Sequence, residues 1–171
     1  MHTKDTYNVF VVDDSDVYRT MLVQTMKNTH EEDVLDNCHF YAYSSGEECL
    51  QNLQLKPDVL VLDYHLDGNG YRYNMDGLKL LKSMKSELPK LEVIIVSCQQ
   101  DVEVVREFVE AGASNYIKKK GPASARKVQN SVRKVIVDKE NSKRKKRRNM
   151  MYYAVVLLVV FAIGLIYTMA H

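Results

Sequence analysis

Short apolar runs alternate along this chain with amphipathic stretches of helical period. Val9–Val12, Val59–Leu62 and Val93–Val96 contain only Val, Ile, Leu and Phe, the pattern of strands buried on both faces of a parallel sheet. Two weaker segments, Cys38–Tyr43 and Asn115–Ile117, complete a set of five, the first strand beginning near residue 7. Helices are expected between them. One runs over Asp16–Asn28 with Ser15 or Asp16 as its cap, and a second over Glu47–Leu55 is stopped by Pro57. Others run over Leu78–Ser86, from a cap at Asp101 to about Glu110 with Gly112 beyond, and from Pro122 onward. His30–Asn37 and residues 64–76 read as connections. Strand–helix alternation of this kind predicts an α/β fold, a doubly wound (βα)5 parallel sheet of five strands. Val128, Val132, Val135 and Ile136 recur at helical intervals and mark the buried side of the last helix.

Each run ends on a side chain with chemistry. Asp13 and Asp14 follow the first, Asp63 the next, Ser97 the third, and Lys118 and Lys119 follow Tyr116-Ile117. Ligands of open α/β sheets bind outside the carboxyl ends of the strands. The topology would therefore gather three carboxylates, a hydroxyl and an ammonium into one cleft, a set suited to a divalent cation and a phosphoryl group. Three neighbouring carboxylates cannot all stay ionised without a counter-charge: one takes a proton or a cation sits among them.

Charge divides the chain. Its formal balance is +2 over 171 residues, yet the six consecutive cations Lys143–Arg148 exceed that sum, so residues 1–138 are net negative. No nucleic-acid partner is expected for such a domain. Cys38, Cys49 and Cys98 show no CxxC or Cys/His spacing, which argues against a zinc site or disulfide framework and for a reducing compartment. Met1–Asn8 is polar, so no signal peptide is expected there.

The C-terminal stretch changes the picture. Met150–Ala170 carries no charged residue, and 21 residues at 1.5 Å each would just cross a ~30 Å hydrocarbon core. Tyr152, Tyr153 and Tyr167 lie near its ends, as interfacial aromatics do, and the basic run precedes it. The expected organisation is a folded domain over 1–138, a basic juxtamembrane linker or helical stalk over 139–149, and a transmembrane helix over 150–170. A single-pass tail anchor would then keep the folded domain cytoplasmic. Ala123 to Ile163 holds no Gly or Pro, which favours a helical stalk over a disordered linker. Read alone, the basic run would also suit a nuclear-localisation or nucleic-acid patch; its position beside an uncharged segment favours attraction to anionic lipid.

The stretches VFVVDDSDVYR, YSSGEECLQNL, KPDVLVLDYHL, MDGLKLLKSMK, LEVIIVSC and EAGASNYIKK, in this order and spacing over roughly residues 5 to 137, resemble the receiver domain of two-component response regulators. The resemblance implies a flavodoxin-like fold and a phosphoacceptor at Asp63. It also implies Mg2+ ligated by Asp14 and Asp63, by Asp13 largely through water, and by the main-chain carbonyl of His65. Ser97 and Tyr116 would be the switch residues. The family's three-residue spacing from that aromatic selects Lys119 over Lys118 as the partner of the phosphoryl group. His65 falls where family members vary the phosphoryl lifetime. The phosphoryl donor would be a histidine kinase or a histidine phosphotransfer protein.

Two departures stand out. Asp63 reaches Met75-Asp76-Gly77 through HLDGNGYRYN, several residues longer than usual and lacking the family's Met-Pro, which reads as a tolerated insertion or a lid or docking element. Lys120-Gly121-Pro122 displaces the Pro that usually follows the lysine. The expected function is a membrane-tethered phosphoacceptor, not a dedicated enzyme, with no appended effector. It would act through a downstream protein, through homodimerisation, or as a phosphate shuttle. The competing reading is a non-phosphorylated adaptor of receiver shape that binds partners constitutively.

Overall fold

The structure is a computed structural model and describes residues 6–29, 33–66, 76–99 and 101–170. β1 (Tyr7–Val12), β2 (Cys38–Tyr43), β3 (Val59–Asp63), β4 (Glu92–Ser97) and β5 (Asn115–Lys118) form one parallel sheet in the order β2-β1-β3-β4-β5. The five-stranded parallel α/β architecture expected from the apolar runs is present. The chain steps from β1 outward to β2 and returns to β3 on the other side of β1. The change of direction leaves a crevice at the carboxyl ends of β1 and β3.

Alternate side chains along each strand feed two separate cores, because successive residues of a strand point to opposite faces. Val9 and Val11 of β1, Val59 and Val61 of β3, and Ile94 and Val96 of β4 pack with α1 (Asp16–Lys27) and the first part of α5 (Gly121–Ala170). Leu22, Met26, Val128, Val132 and Ile136 supply the helix side of that layer. Phe10, Val12, Leu60, Leu62, Val93 and Ile95 face the other way, toward α2 (Gly46–Gln51), α3 (Gly77–Glu87) and α4 (Val102–Glu110). Each large apolar side chain removed from water contributes about 1.5–3 kcal/mol, and the central strands are buried along both faces.

Helix starts are set by capping side chains. Ser15, not Asp16, caps α1 by accepting from Tyr18 N–H. Ser45 accepts from Glu48 N–H, while the Glu48 carboxylate accepts from Ser44 N–H 2.9 Å away, a reciprocal arrangement that satisfies two otherwise unpaired donors. Asp76 and Asp101 cap α3 and α4.

The single helix expected over Glu47–Leu55 is in fact two pieces. α2 ends at Gln51, and Leu53–Leu55 form a separate 3₁₀ turn. The distant Asn8 amide marks the break by holding Leu55 O at 2.5 Å, and the Asn52 side chain donates to Glu48 O at 2.9 Å beside it. Lys56 then turns left-handed at φ 49° before Pro57. In the connection after α1, residues 30–32 lie outside the described residues, and Val34–Asn37 form another 3₁₀ turn. Most of the long 64–76 connection, residues 67–75, also lies outside them.

The chain divides into two units, Met1–Ile136 and Val137–His171. Helix α5 ends at Ala170. The described side chains of the second unit from Asn141 onward are exposed, among them Met150, Tyr152, Leu157 and Phe161. The expected membrane span is not recovered: among the described residues, no helix is long and apolar enough to cross a membrane. The side chains at 164 and 166–170 lie outside the described set. The apolar run left at 150–163 falls short of a ~30 Å core at 1.5 Å per residue.

Candidate functional site

Four of the expected side chains meet at the crevice. Asp13 immediately follows β1 and Asp63 is the last residue of β3; both are buried, Asp13 almost completely. Asp14 is more exposed, and Asp13, Asp14 and Asp63 each offer a carboxylate oxygen within 4.8 Å of the others. Lys119 arrives from β5, two strands away, with Nζ 2.8 Å from Oδ2 of Asp13 and 2.6 Å from Oδ2 of Asp63.

Local main-chain contacts aim these groups. Ser15 N–H donates to Oδ1 of Asp13 at 3.0 Å, and His65 N–H donates to Oδ1 of Asp63 at 3.3 Å. Arg19 donates from its guanidinium to the Asp13 carbonyl oxygen. Lys119 N–H donates to Ser97 O at 2.7 Å, which ties the exit of β5 to the end of β4. Gly77 lets α3 begin directly against β3: a Cβ there would lie 2.6 Å from Asp63 O and 2.9 Å from Tyr64 O.

The electrostatics follow from too little positive charge in a buried place. Burial raises Asp13 to about 6; Lys119 pulls the other way and the Asp63 charge adds to the rise. Burial raises Asp63 as well, against the lowering effects of Lys119 and the His65 N–H. For Lys119 the largest single influence, burial, favours the neutral amine, but the bonds and charges of Asp13 and Asp63 together raise it. One ammonium therefore serves two buried carboxylates with a third beside them. The surplus of hard oxygen donors fits a small divalent cation, which favours carboxylates and retained waters.

Ser97 is fully buried and its hydroxyl accepts from Gln99 N–H at 3.0 Å. Tyr116 is half-buried and donates its hydroxyl proton to Gln99 O at 3.0 Å. Lys118 is exposed, so the structure directs Lys119, and not its neighbour, to the acids. Sequence reasoning missed Gln99, which joins both switch candidates through its main chain and contacts His65 Nε2 through its side chain at 3.3 Å. It also missed Tyr18, whose ring lies under Lys119, and Ser124, bonded to the Tyr18 hydroxyl. Position offered a hint for Tyr18 alone, since it lies in the first turn of the helix that follows Asp14.

A family model for the response regulator receiver domain matches residues 9–133. Over 125 residues the chain is 34% identical to the DNA-binding transcriptional activator DevR/DosR of Mycobacterium tuberculosis, covering 71% of this chain and 52% of that protein. Over 131 residues it is 29% identical to the response regulator protein VraR of Staphylococcus aureus, covering 75% and 56%. The chain thus spans about half the length of these two relatives. Among solved structures, a CheY-like response regulator receiver domain protein from Methanospirillum hungatei superposes with a TM-score of 0.65 at 18% identity, over 81% of this chain and 99% of that one. That likeness speaks for the fold. With the family match extending over most of the chain, the protein belongs to the response regulator receiver domain family.

Proposed function

We propose that this chain is a Mg2+-dependent phosphoacceptor that takes a phosphoryl group onto Asp63 from a phosphohistidine of a histidine kinase or histidine phosphotransfer protein. The observation that carries the reading is the convergence of Asp13, Asp14 and Asp63 around the Lys119 ammonium. An Asp63 carboxylate oxygen would attack phosphorus as the P–N bond to the donor imidazole breaks; the bonding pair stays on that nitrogen, which regains a proton. The product is an acyl phosphate. Asp13, Asp14, Asp63 and the His65 carbonyl would hold the cation, whose chemistry is to neutralise charge on the transferring oxygens.

The other residues handle charge and geometry. The His65 N–H and Lys119 fix the two oxygens of Asp63 before reaction. Lys119 keeps an anionic partner afterwards, because the phosphoryl oxygens replace the lost carboxylate charge. Ser97 supplies a hydroxyl at the end of the neighbouring strand, and Tyr116 is the aromatic that responds with it. The role is that of an acceptor and switch, not a dedicated enzyme, with output through contacts to a downstream protein, through homodimerisation, or as a phosphate shuttle.

We propose further that Met150–Ala170 anchors the chain in a membrane with the receiver cytoplasmic. The support is the uncharged composition of that segment, its tyrosines, and the basic run before it. Flotation of the full chain with vesicles after alkaline carbonate treatment tests this; recovery in the soluble fraction would sink it. The acceptor reading is tested by incubating the full chain with phosphoramidate, with and without Mg2+, and reading intact mass. A Mg2+-dependent gain of one phosphoryl group is expected. No gain by a folded protein would favour the constitutive adaptor.

A further inference from the structure

A lysine ammonium has three N–H donors. Two of those on Lys119 are directed to Asp13 and Asp63. On another side lies the ring of Tyr18, its centroid 4.3 Å from Nζ. That is within the range at which the negative face of an aromatic ring attracts a cation. Tyr18 is itself buried, at 8% exposure, so its ring forms a wall that Lys119 must lean on.

The hydroxyl of Tyr18 shows what holds the ring. It lies 2.8 Å from Ser124 Oγ, another buried group. Ser124 has a single hydroxyl proton, and Gly121 O, which can only accept, lies 2.6 Å away. The Ser124 proton therefore goes to Gly121 O, and its oxygen accepts from Lys120 N–H at 3.0 Å and from the Tyr18 hydroxyl. With Ser124 so engaged, Tyr18 must be the donor. A contact path thus runs from Asp63 through Lys119 and Tyr18 to the first turn of α5, where Gly121 adopts φ +53°.

We propose that Tyr18 is the positioning residue that holds the Lys119 ammonium over Asp63, and that Ser124 in the first turn of α5 holds Tyr18. A lysine on its flexible four-carbon stem reaches several orientations; the ring removes those that lead away from the acids. The inference rests on Asp63 being the phosphoacceptor, and Asp63→Asn in the same assay reports on that separately.

The test follows phosphorylation of the full chain by phosphoramidate and Mg2+, alongside the NMR position of the Lys119 side-chain methylene beside Nζ. Ring current from Tyr18 should displace that signal from those of the exposed lysines, a signature that a general packing role would not produce. Tyr18→Leu should remove the displacement and slow phosphorylation about 5–10-fold, while Tyr18→Phe, which keeps the ring but loses its bond to Ser124, should keep part of the displacement and recover most of the rate. An undisplaced Lys119 signal in the wild-type chain, or a rate for folded Tyr18→Leu within twofold of wild type, would overturn the proposal. If Tyr18→Leu does not fold, Ser124→Ala decides: a partial loss of the displacement supports the path to α5, and no change breaks it. Phosphoryl gain by Asp63→Asn would overturn the acceptor reading and leave the NMR signature to judge the Lys119 contact.

Discussion

Lys119 Nζ crosses over the end of β4 to lie 2.6 Å from Oδ2 of Asp63 on β3. The same nitrogen holds Asp13 at 2.8 Å. One cation thereby links the carboxyl ends of three strands, at a site where the acids outnumber it.

Removing that cation should expose the imbalance. Lys119→Met leaves two buried carboxylates facing each other, and breaking a buried ion pair costs several kcal/mol. The variant should lose about 2–3 kcal/mol in chemical denaturation with EDTA present. Mg2+ should return much of it, because binding to the native state alone adds stability. Equal losses with and without Mg2+ would show that the acids do not share the cation site.

The raised pKa of Asp13 makes a pH prediction with a definite sign. Its pKa moves from 3.8 to about 6 on folding, so the folded chain binds a proton more tightly. That contribution to stability is present below pH 3.8 and is lost as pH rises through about 6. The metal-free protein should therefore melt higher at pH 5 than at pH 7.5. Asp13→Asn should stabilise it at pH 7.5 by about 1–2 kcal/mol and flatten this dependence. Thermal melts in EDTA at the two pH values check both.

Gly77 sets how closely α3 approaches the acceptor strand. In Gly77→Ala the new methyl would meet main-chain atoms of Asp63 and Tyr64 at 2.6 and 2.9 Å, and neither neighbour is a side chain that can swing away. Overpacking of this kind costs about 1–3 kcal/mol. Urea titration should show the loss, and the phosphorylation rate should fall with it because the Asp63 main chain moves.

His65 and Gln99 meet at 3.3 Å beside Asp63. Side chains placed there would set where a water attacking the phosphoryl group can stand. His65→Ala and Gln99→Ala should each change the lifetime of the phosphorylated chain about 3–10-fold, with the double variant departing from the product of the two. Decay of the phosphorylated mass after donor removal measures this. Lifetimes within twofold of wild type would remove both residues from the account.

The strands were legible because burial on both faces leaves an unbroken apolar run, and chemistry at the run ends follows from the topology of a parallel sheet. Asp13, Asp14 and Asp63 were found in this way, since each stands just after or at the end of a strand; the topology left Lys118 and Lys119 open, and the resemblance to the receiver family selected Lys119. The break at Asn52 was not legible, because it depends on the Asn8 amide, 47 residues away in sequence, reaching Leu55 O. Gln99, Tyr18 and Ser124 were missed for the same reason. Tyr18 meets Ser124 and Lys119, and Gln99 meets Tyr116 and His65, across distant segments; beyond the place of Tyr18 in the first turn after Asp14, their own surroundings do not distinguish them from a loop glutamine, a core tyrosine and a helix-start serine. The C-terminal segment is the reverse case: its composition is plain in the sequence, while the described side chains stop short of a full span.

Whether Asp63 carries the phosphoryl group is read at the residue itself by borohydride trapping. An acyl phosphate is reduced by borohydride to an alcohol, converting the aspartate to homoserine, and peptide mass mapping then locates the change. Homoserine is expected at position 63 in chain treated with phosphoramidate and Mg2+, absent without Mg2+ and absent in Asp63→Asn. Homoserine at position 13 or 14, or none in a folded chain that received the donor, would contradict Asp63 as the acceptor.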